Sequence, residues 1–268
     1  MAGKVLVVTS GKGGVGKTTA TANIGVALAL RGRRVLLIDA DIGLRNLDVV
    51  MGLENRIVYD LVQVVEGACK PQQAMIRDRH IPDLYLIPAA QTRDKSSVTP
   101  EQMKDLCRSL REAFDYILID SPAGIEQGFR NALAPADEAI VITTPEVSAV
   151  RDADRVIGLV ESTGLPSPGL VINRYRVQMV RHGDMMDTPD ILGLLSVPLL
   201  GVVPEDDDIV VSTNKGVPAV HNPRSRAGMA FRAIAARLEG EEAPEVPLNG
   251  HDGLFHRLRR LLGLAGRR

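Results

Sequence analysis

The run Gly11-Lys12-Gly13-Gly14-Val15-Gly16-Lys17-Thr18 constrains this chain more than any other feature. It follows the apolar run Val5 to Val8 and opens a helical pattern that starts Thr18-Thr19-Ala20. A Gly-x4-Gly-Lys-Thr spacing between a strand and a helix is the phosphate-loop pattern. Its residue types follow from the chemistry. Glycines let successive backbone N–H groups curl around phosphate oxygens without side-chain clashes. The helix N-terminus adds a dipole favourable to anions. Lys17 supplies a point charge for the β- and γ-phosphates, and Thr18 offers its hydroxyl to Mg²⁺. The expected nucleotide-binding stretch is Gly11 to Thr19. Lys12 is an extra: a phosphate loop does not need a lysine there. Two readings stand side by side. Lys12 is a solvated surface lysine, or it reaches a nucleotide on a second subunit as an arginine finger does in trans.

The rest of the chain supports one α/β domain. Short apolar runs at Val5 to Val8, Val35 to Ile38, Leu84 to Ile87, Tyr116 to Ile119, Ala139 to Ile142, Leu170 to Ile172 and Leu199 to Val203 read as buried strands with helical stretches between most of them. That alternation predicts a mostly parallel, doubly wound sheet flanked by helices. Hydrophobic residues are 45% but aromatics only 3%, so Val, Ile, Leu and Ala must build the core. Thr99-Pro100-Glu101-Gln102 has the residues of a helix cap, Gly32 and Gly164 are placed to end helices, and Ser148 reads as a cap for the helix through Val160. Cys69 and Cys107 form no Cys-x-x-Cys pair, which argues against a zinc or iron–sulfur site and for two buried or half-buried thiols. The formal net charge of -1 excludes a chain that is basic throughout.

Acidic residues close several strands. Asp120 ends the run Tyr116 to Ile119, and Asp39 and Asp41 follow Val35 to Ile38. Ligands of open α/β sheets bind at the carboxyl edge. Asp120 is therefore expected to hold Mg²⁺, often through water. One of Asp39 and Asp41 is expected at metal-bound water, and the other at the attacking water. The alternative for each is loop capping. Gly124, after Ser121-Pro122-Ala123, is placed to present a backbone N–H to a γ-phosphate.

With its extra lysine the loop resembles the deviant Walker A ATPases. Further segments are similar to the MinD family of septum-site-determining ATPases: Asp39-Ala40-Asp41-Ile42-Gly43-Leu44-Arg45-Asn46-Leu47-Asp48, Pro88 to Lys95, Asp120 to Glu126, Pro145 to Asp152, Arg181 to Met185 and Gly201 to Asp206. The resemblance runs essentially end to end. It implies that Lys12, Lys17 and Asp41 are catalytic, with Lys12 acting across an ATP-sandwich homodimer and Asp41 orienting the hydrolytic water. It implies Mg²⁺ held by Thr18 with Asp39 and Asp120, adenine read by Asn173, and a base-lining loop at Pro204-Glu205-Asp206. The implied cofactors are ATP and Mg²⁺, and the implied partners are the division inhibitor MinC and the ATPase-stimulating factor MinE.

The domain is expected to span 1–238, with a flexible acidic linker at 239–252 and a separate segment at 253–268. Leu254, Phe255, Leu258, Leu261 and Leu262 fall at helical spacing, with His256, Arg257, Arg259 and Arg260 on the other side. A basic amphipathic helix beyond a linker reads as a membrane-surface element, and MinD-family chains end in one. No signal peptide and no spanning run is visible, so the expected location is cytoplasmic and peripheral on the inner face of the cell membrane. Two other readings compete with this one. A ParA-type DNA-partitioning ATPase would use Arg224, Arg226, Arg232 and Arg237 as a basic patch. A flagellar-number regulator of the same ATPase family usually carries an extension before the first strand, and here the strand starts by Lys4. No nucleic-acid partner is expected.

Overall fold

In the computed structural model, residues 2–244 and 246–248 are described. The β-branched and leucine-rich runs form β1 (Lys4–Thr9), β2 (Val35–Asp39), β3 (Ile76–Arg77), β4 (Leu84–Ile87), β5 (Tyr116–Asp120), β6 (Glu138–Thr143), β7 (Gly169–Tyr175) and β8 (Leu199–Pro204). Between them lie α1 (Lys17–Leu30), α2 (Leu47–Val50), α3 (Leu61–Val65), α4 (Pro71–Ala74), α5 (Pro100–Leu110), α6 (Gln127–Leu133), α7 (Val147–Ser162), α8 (Val177–Arg181), α9 (Thr188–Leu195), α10 (Asp207–Asn214) and α11 (Arg226–Leu238). The strand order is β3-β4-β2-β5-β1-β6-β7-β8. Every pairing is parallel except the two-residue β3, which runs antiparallel to β4.

Alternation along each strand sends side chains to two cores. Val5, Val7, Leu36, Ile38, Ile117 and Ile119 face the side packed by α5, α6, α7 and α9. Leu6, Val8, Leu37 and Leu118 face the side packed by α1 and α11. Both faces are covered, which is why the strands are apolar throughout. Helix α1 sits deepest and is apolar on most of its circumference. It approaches the sheet closely because Gly25 has no side chain: a Cβ there would lie 2.4 Å from Leu37 Cδ2. Asn23 ties the helix sideways, donating to Thr19 O at 2.8 Å and accepting from Val220 N at 3.0 Å.

Local expectations meet the structure unevenly. Thr99 caps α5 as expected, with Gln102 N donating to Thr99 Oγ1 at 3.2 Å and Thr99 N to Gln102 Oε1 at 2.9 Å. Gly32 and Gly164 take φ 83 after their helices. Ser148 is not the cap of α7; the helix starts one residue earlier and Glu146 occupies that position. Cys107 is buried, which pushes its thiol up to about 12, and Cys69 is half-buried. The segment read as a free linker from 239 holds contacts well past Leu238. Glu239 pairs with Arg31 and Arg33, Glu241 with Arg31 at 2.5 Å, and Val246 and Leu248 pack against the two cores. Its acidic residues meet arginines from the end of α1, which linear reading does not bring near. The apolar residues 254–262 lie outside the described residues. No helix among the described residues is long and apolar enough to cross a membrane.

Candidate nucleotide site

Strand β1 ends at Thr9, and the chain then turns into α1 around a cradle of backbone. Gly14 (φ 80) and Gly16 (φ 90) take left-handed backbone there, which only glycine adopts without strain. Gly11 is required for space: a Cβ would lie 2.2 Å from Asp152 O. The register of β1, β2 and β5 sets Val8, Asp39 and Asp120 side by side at the carboxyl edge.

Asp120 is the hub. Its Oδ1 lies 3.4 Å from Lys17 Nζ and accepts from Thr21 Oγ1 at 3.1 Å, while Oδ2 accepts from Thr18 Oγ1 at 2.7 Å. Lys17 and Asp120 are both buried. A hydroxyl and a carboxylate oxygen together suit a hard cation such as Mg²⁺, which takes few protein ligands and leaves the rest to phosphate and water. Thr18 and Asp120 fit that role. Asp39 stands beside them, wholly buried, accepting from Asp41 N at 3.0 Å and Leu47 N at 3.1 Å. Burial first, and the neighbouring Asp120 second, push its carboxyl up to about 7. Both its oxygens are thus engaged by the backbone of the following loop. Gly124 takes φ 92, and its N–H donates to Ser10 O at 3.2 Å. Serving a phosphate requires that bond to break.

Lys12 points away from the cradle. Its ammonium donates to Ser148 Oγ at 3.2 Å and lies 3.6 Å from Glu146 Oε2, half exposed at the start of α7. Ser148, misread as a cap, is where the extra lysine rests.

A cavity of about 190 Å³ opens beyond the loop between Gly14, Gly16, Thr19, Asn173, Pro204 and Glu205. The Asn173 amide donates to Val15 O at 2.8 Å, and a Cβ on Gly16 would meet that amide nitrogen at 2.4 Å. Arg174, with φ 55, donates to Gly14 O at 3.2 Å and pairs with Glu205 at 3.3 Å. Asp206 caps α10 and also accepts from Ala227 N at 2.9 Å, which fixes the loop to α11. Asn173 and Pro204, far apart in sequence, thus line one hollow with the phosphate loop.

The family model for the CobQ/CobB/MinD/ParA nucleotide binding domain matches residues 6–219. The septum site-determining protein MinD of Bacillus subtilis is 54% identical over 265 residues, covering 98% of this chain and 99% of that relative. This chain belongs to the MinD family. Among solved structures it is similar to the MinC:MinD cell division protein complex of Aquifex aeolicus, at 46% identity and TM-score 0.83 over 92% of this chain and 100% of that one. It is also similar to MinD complexed with Mg-ADP from Pyrococcus horikoshii, at 34% identity and TM-score 0.81 over 88% and 96% of the two chains.

Several residues that shape this MinD-family site carry no role that the sequence assigns them. Thr21 is a mid-helix threonine whose hydroxyl reaches Asp120. Asp48 is a fully buried carboxylate 3.1 Å from Arg45 Nε, and burial raises its pKa despite that partner. Arg45 takes φ 45 in the same loop. No periodicity signals these; an arginine and an aspartate three apart normally read as a solvated pair.

Proposed function

We propose that this MinD-family chain is an ATP-hydrolysing determinant of septum position whose pairing with a second copy switches its membrane binding. The observation that carries the reading is the division of labour between two lysines of one loop. Lys17 is buried against Asp120, whereas Lys12 is turned outward to Ser148 and Glu146. Backbone N–H groups of Gly13 to Thr18 hold the phosphates, with Lys17 on the β- and γ-oxygens. Thr18 and Asp120 hold Mg²⁺, which neutralises charge on those oxygens when bound. Asp41 orients the attacking water, and Asp39 holds the loop that carries it. Gly124, once released from Ser10, reads the γ-phosphate. Asn173 and the Pro204 loop take the base. Lys12 leaves α7 and stabilises charge on the partner copy's nucleotide, the trans role of an arginine finger.

Pairing matters because one tail is weak. A segment of about 11 residues is marginal as a helix in water, and each arginine near an anionic surface is worth roughly 1 kcal/mol. Two tails on one particle gain avidity of roughly 10²-fold or more. ATP-driven pairing then recruits the chain to an anionic membrane through Leu254, Phe255, Leu258, Arg259, Leu261 and Leu262, and hydrolysis releases it. On the membrane it binds MinC, as in the Aquifex complex, and MinE stimulates release.

The ParA-type alternative would need Arg224, Arg226, Arg232 and Arg237 turned to phosphate; Arg224 is exposed, and the other three are engaged within the fold. Arg226, Arg232 and Arg237 donate to the carbonyls of Leu248, Val220 and Leu200. Co-sedimentation with anionic vesicles tests the proposal. Wild type should pellet with Mg-ATP and stay in solution with Mg-ADP, and Lys12→Ala should stay in solution with both. Equal pelleting in ATP and ADP sinks the switch, and DNA binding without lipid binding favours the ParA reading.

A further inference from the structure

Strand β8 is the last in the sheet, so among the described residues its outer edge has no strand beside it. Bare edges invite pairing with other chains, and proteins usually cover them. Here two arginines of α11 draw the trailing chain along that edge. Arg237 donates through Nη1 to Leu200 O at 2.7 Å and through Nη2 to Ala243 O at 2.9 Å. Arg226 donates through Nη1 to Leu248 O at 3.2 Å and through Nη2 to Glu205 O at 3.3 Å. The trailing segment does not fill the space it enters. A cavity of about 630 Å³ remains between β8, α9 and α11, lined mainly by Leu199, Val202, Ala230, Ala233, Val246 and Leu248. It lies away from the nucleotide hollow and shares no lining residue with it. Its size is that of pockets that enclose a ligand, and its apolar walls are interrupted by Thr188 and Arg237.

The chain after Leu248 carries what such a cavity lacks. Twenty residues follow Leu248, and Leu254 is six residues on. Six residues span at most about 20 Å, so the apolar positions 254–262 start within reach of the cavity mouth. A tether this short gives an effective concentration in the millimolar range. Charge also matches. Thr188, at the cavity, opens α9, and Asp187 and Asp190 stand in the same turn. The tail brings Arg257, Arg259 and Arg260 between its apolar positions.

We propose that the apolar stripe of residues 254–262 lodges in this cavity in cis when the chain is off the membrane. Cavity and lipid then compete for Leu254, Phe255, Leu258, Leu261 and Leu262. The single-copy state is held off the membrane by a docked tail as well as by weak affinity, and recruitment includes undocking. The competition rests on the lipid-anchor reading above, but docking itself is measurable without lipid.

The test is limited trypsin digestion of the full chain with Mg-ADP and no vesicles, following cleavage at Arg257, Arg259 and Arg260 by mass spectrometry. Wild type should be cut slowly there. Ala233→Phe, which fills the cavity, and Leu258→Glu, which leaves the folded body untouched, should each be cut at least about tenfold faster, as loss of a tethered contact predicts. Unchanged cleavage inside α11, at Arg232, reports that the body is still folded. Equal tail cleavage in wild type and Leu258→Glu overturns the proposal. So does protection that strengthens as the protein is concentrated, because the occupant would then be a second copy's tail. In a companion measurement with phosphatidylglycerol vesicles and Mg-ADP, Ala233→Phe should pellet more than wild type. If the cleavage differences appear and no variant ever pellets, docking stands and the lipid-anchor reading falls.

Discussion

Lys12 and Lys17 belong to one loop yet have opposite surroundings, and in the proposed function that difference separates binding from catalysis. Removing a buried charge next to a carboxylate leaves the carboxylate uncompensated, so Lys17→Ala should harm both nucleotide affinity and the folded site. Lys12 touches only Ser148 and Glu146 at the surface. Lys12→Ala should leave ADP affinity within about threefold while lowering ATP hydrolysis by roughly 10³-fold, the scale of a charge supplied in trans. Titration calorimetry and phosphate release check the two halves. Asp39 gives a pH prediction. Its pKa is raised in the folded chain, so the folded state holds a proton that the unfolded state has lost between 3.8 and about 7. Stability from this group is present at low pH and lost as pH rises through that window. Urea midpoints of the nucleotide-free protein should show that decline, and Asp39→Asn should flatten it. At this scale the sequence disclosed the cradle and Asp120, because glycines, lysine and a strand-end acid have few other uses together. It did not disclose Thr21 or the resting place of Lys12, since the first depends on which strand end meets α1 and the second on which helix start packs beside the loop.

The elements were legible where burial is two-sided. Seven strands appear as continuous apolar runs because helices cover both faces of the sheet. The two-residue β3 has no pattern to read, and Ser148 lost the capping position because the helix begins one residue earlier. Helices α1 and α11 pack on one face of the sheet, and Phe231 of α11 is fully buried in the core of that face. Phe231→Ala should cost about 3–5 kcal/mol, seen as a lower denaturant midpoint. Because Phe231 also borders the hollow proposed for the base, nucleotide should rescue the variant less than it rescues Thr99→Ala. Loss of the Thr99 cap costs about 1 kcal/mol on the opposite face of the sheet.

For the whole molecule, the nucleotide edge and the β8 edge are separate surfaces joined through α11. Asp206 binds the start of that helix beside the hollow that Asn173 and Pro204 line, and Arg237 clamps the trailing chain at its other end. The sequence reads as a linker followed by an anchor, and it does not show that the linker's first residues are held on the folded body, because their partners Arg31, Arg33, Arg226 and Arg237 are distant in sequence or read as surface charge. Leu258→Glu should abolish vesicle binding in Mg-ATP while leaving ATP-dependent pairing intact, which light scattering and co-sedimentation separate. The most direct test of the central claim is the solution mass of the full chain carrying Asp41→Ala to block hydrolysis, measured without lipid. With Mg-ATP the mass should be that of two chains, and with Mg-ADP that of one. A single-chain mass in saturating Mg-ATP would contradict the account.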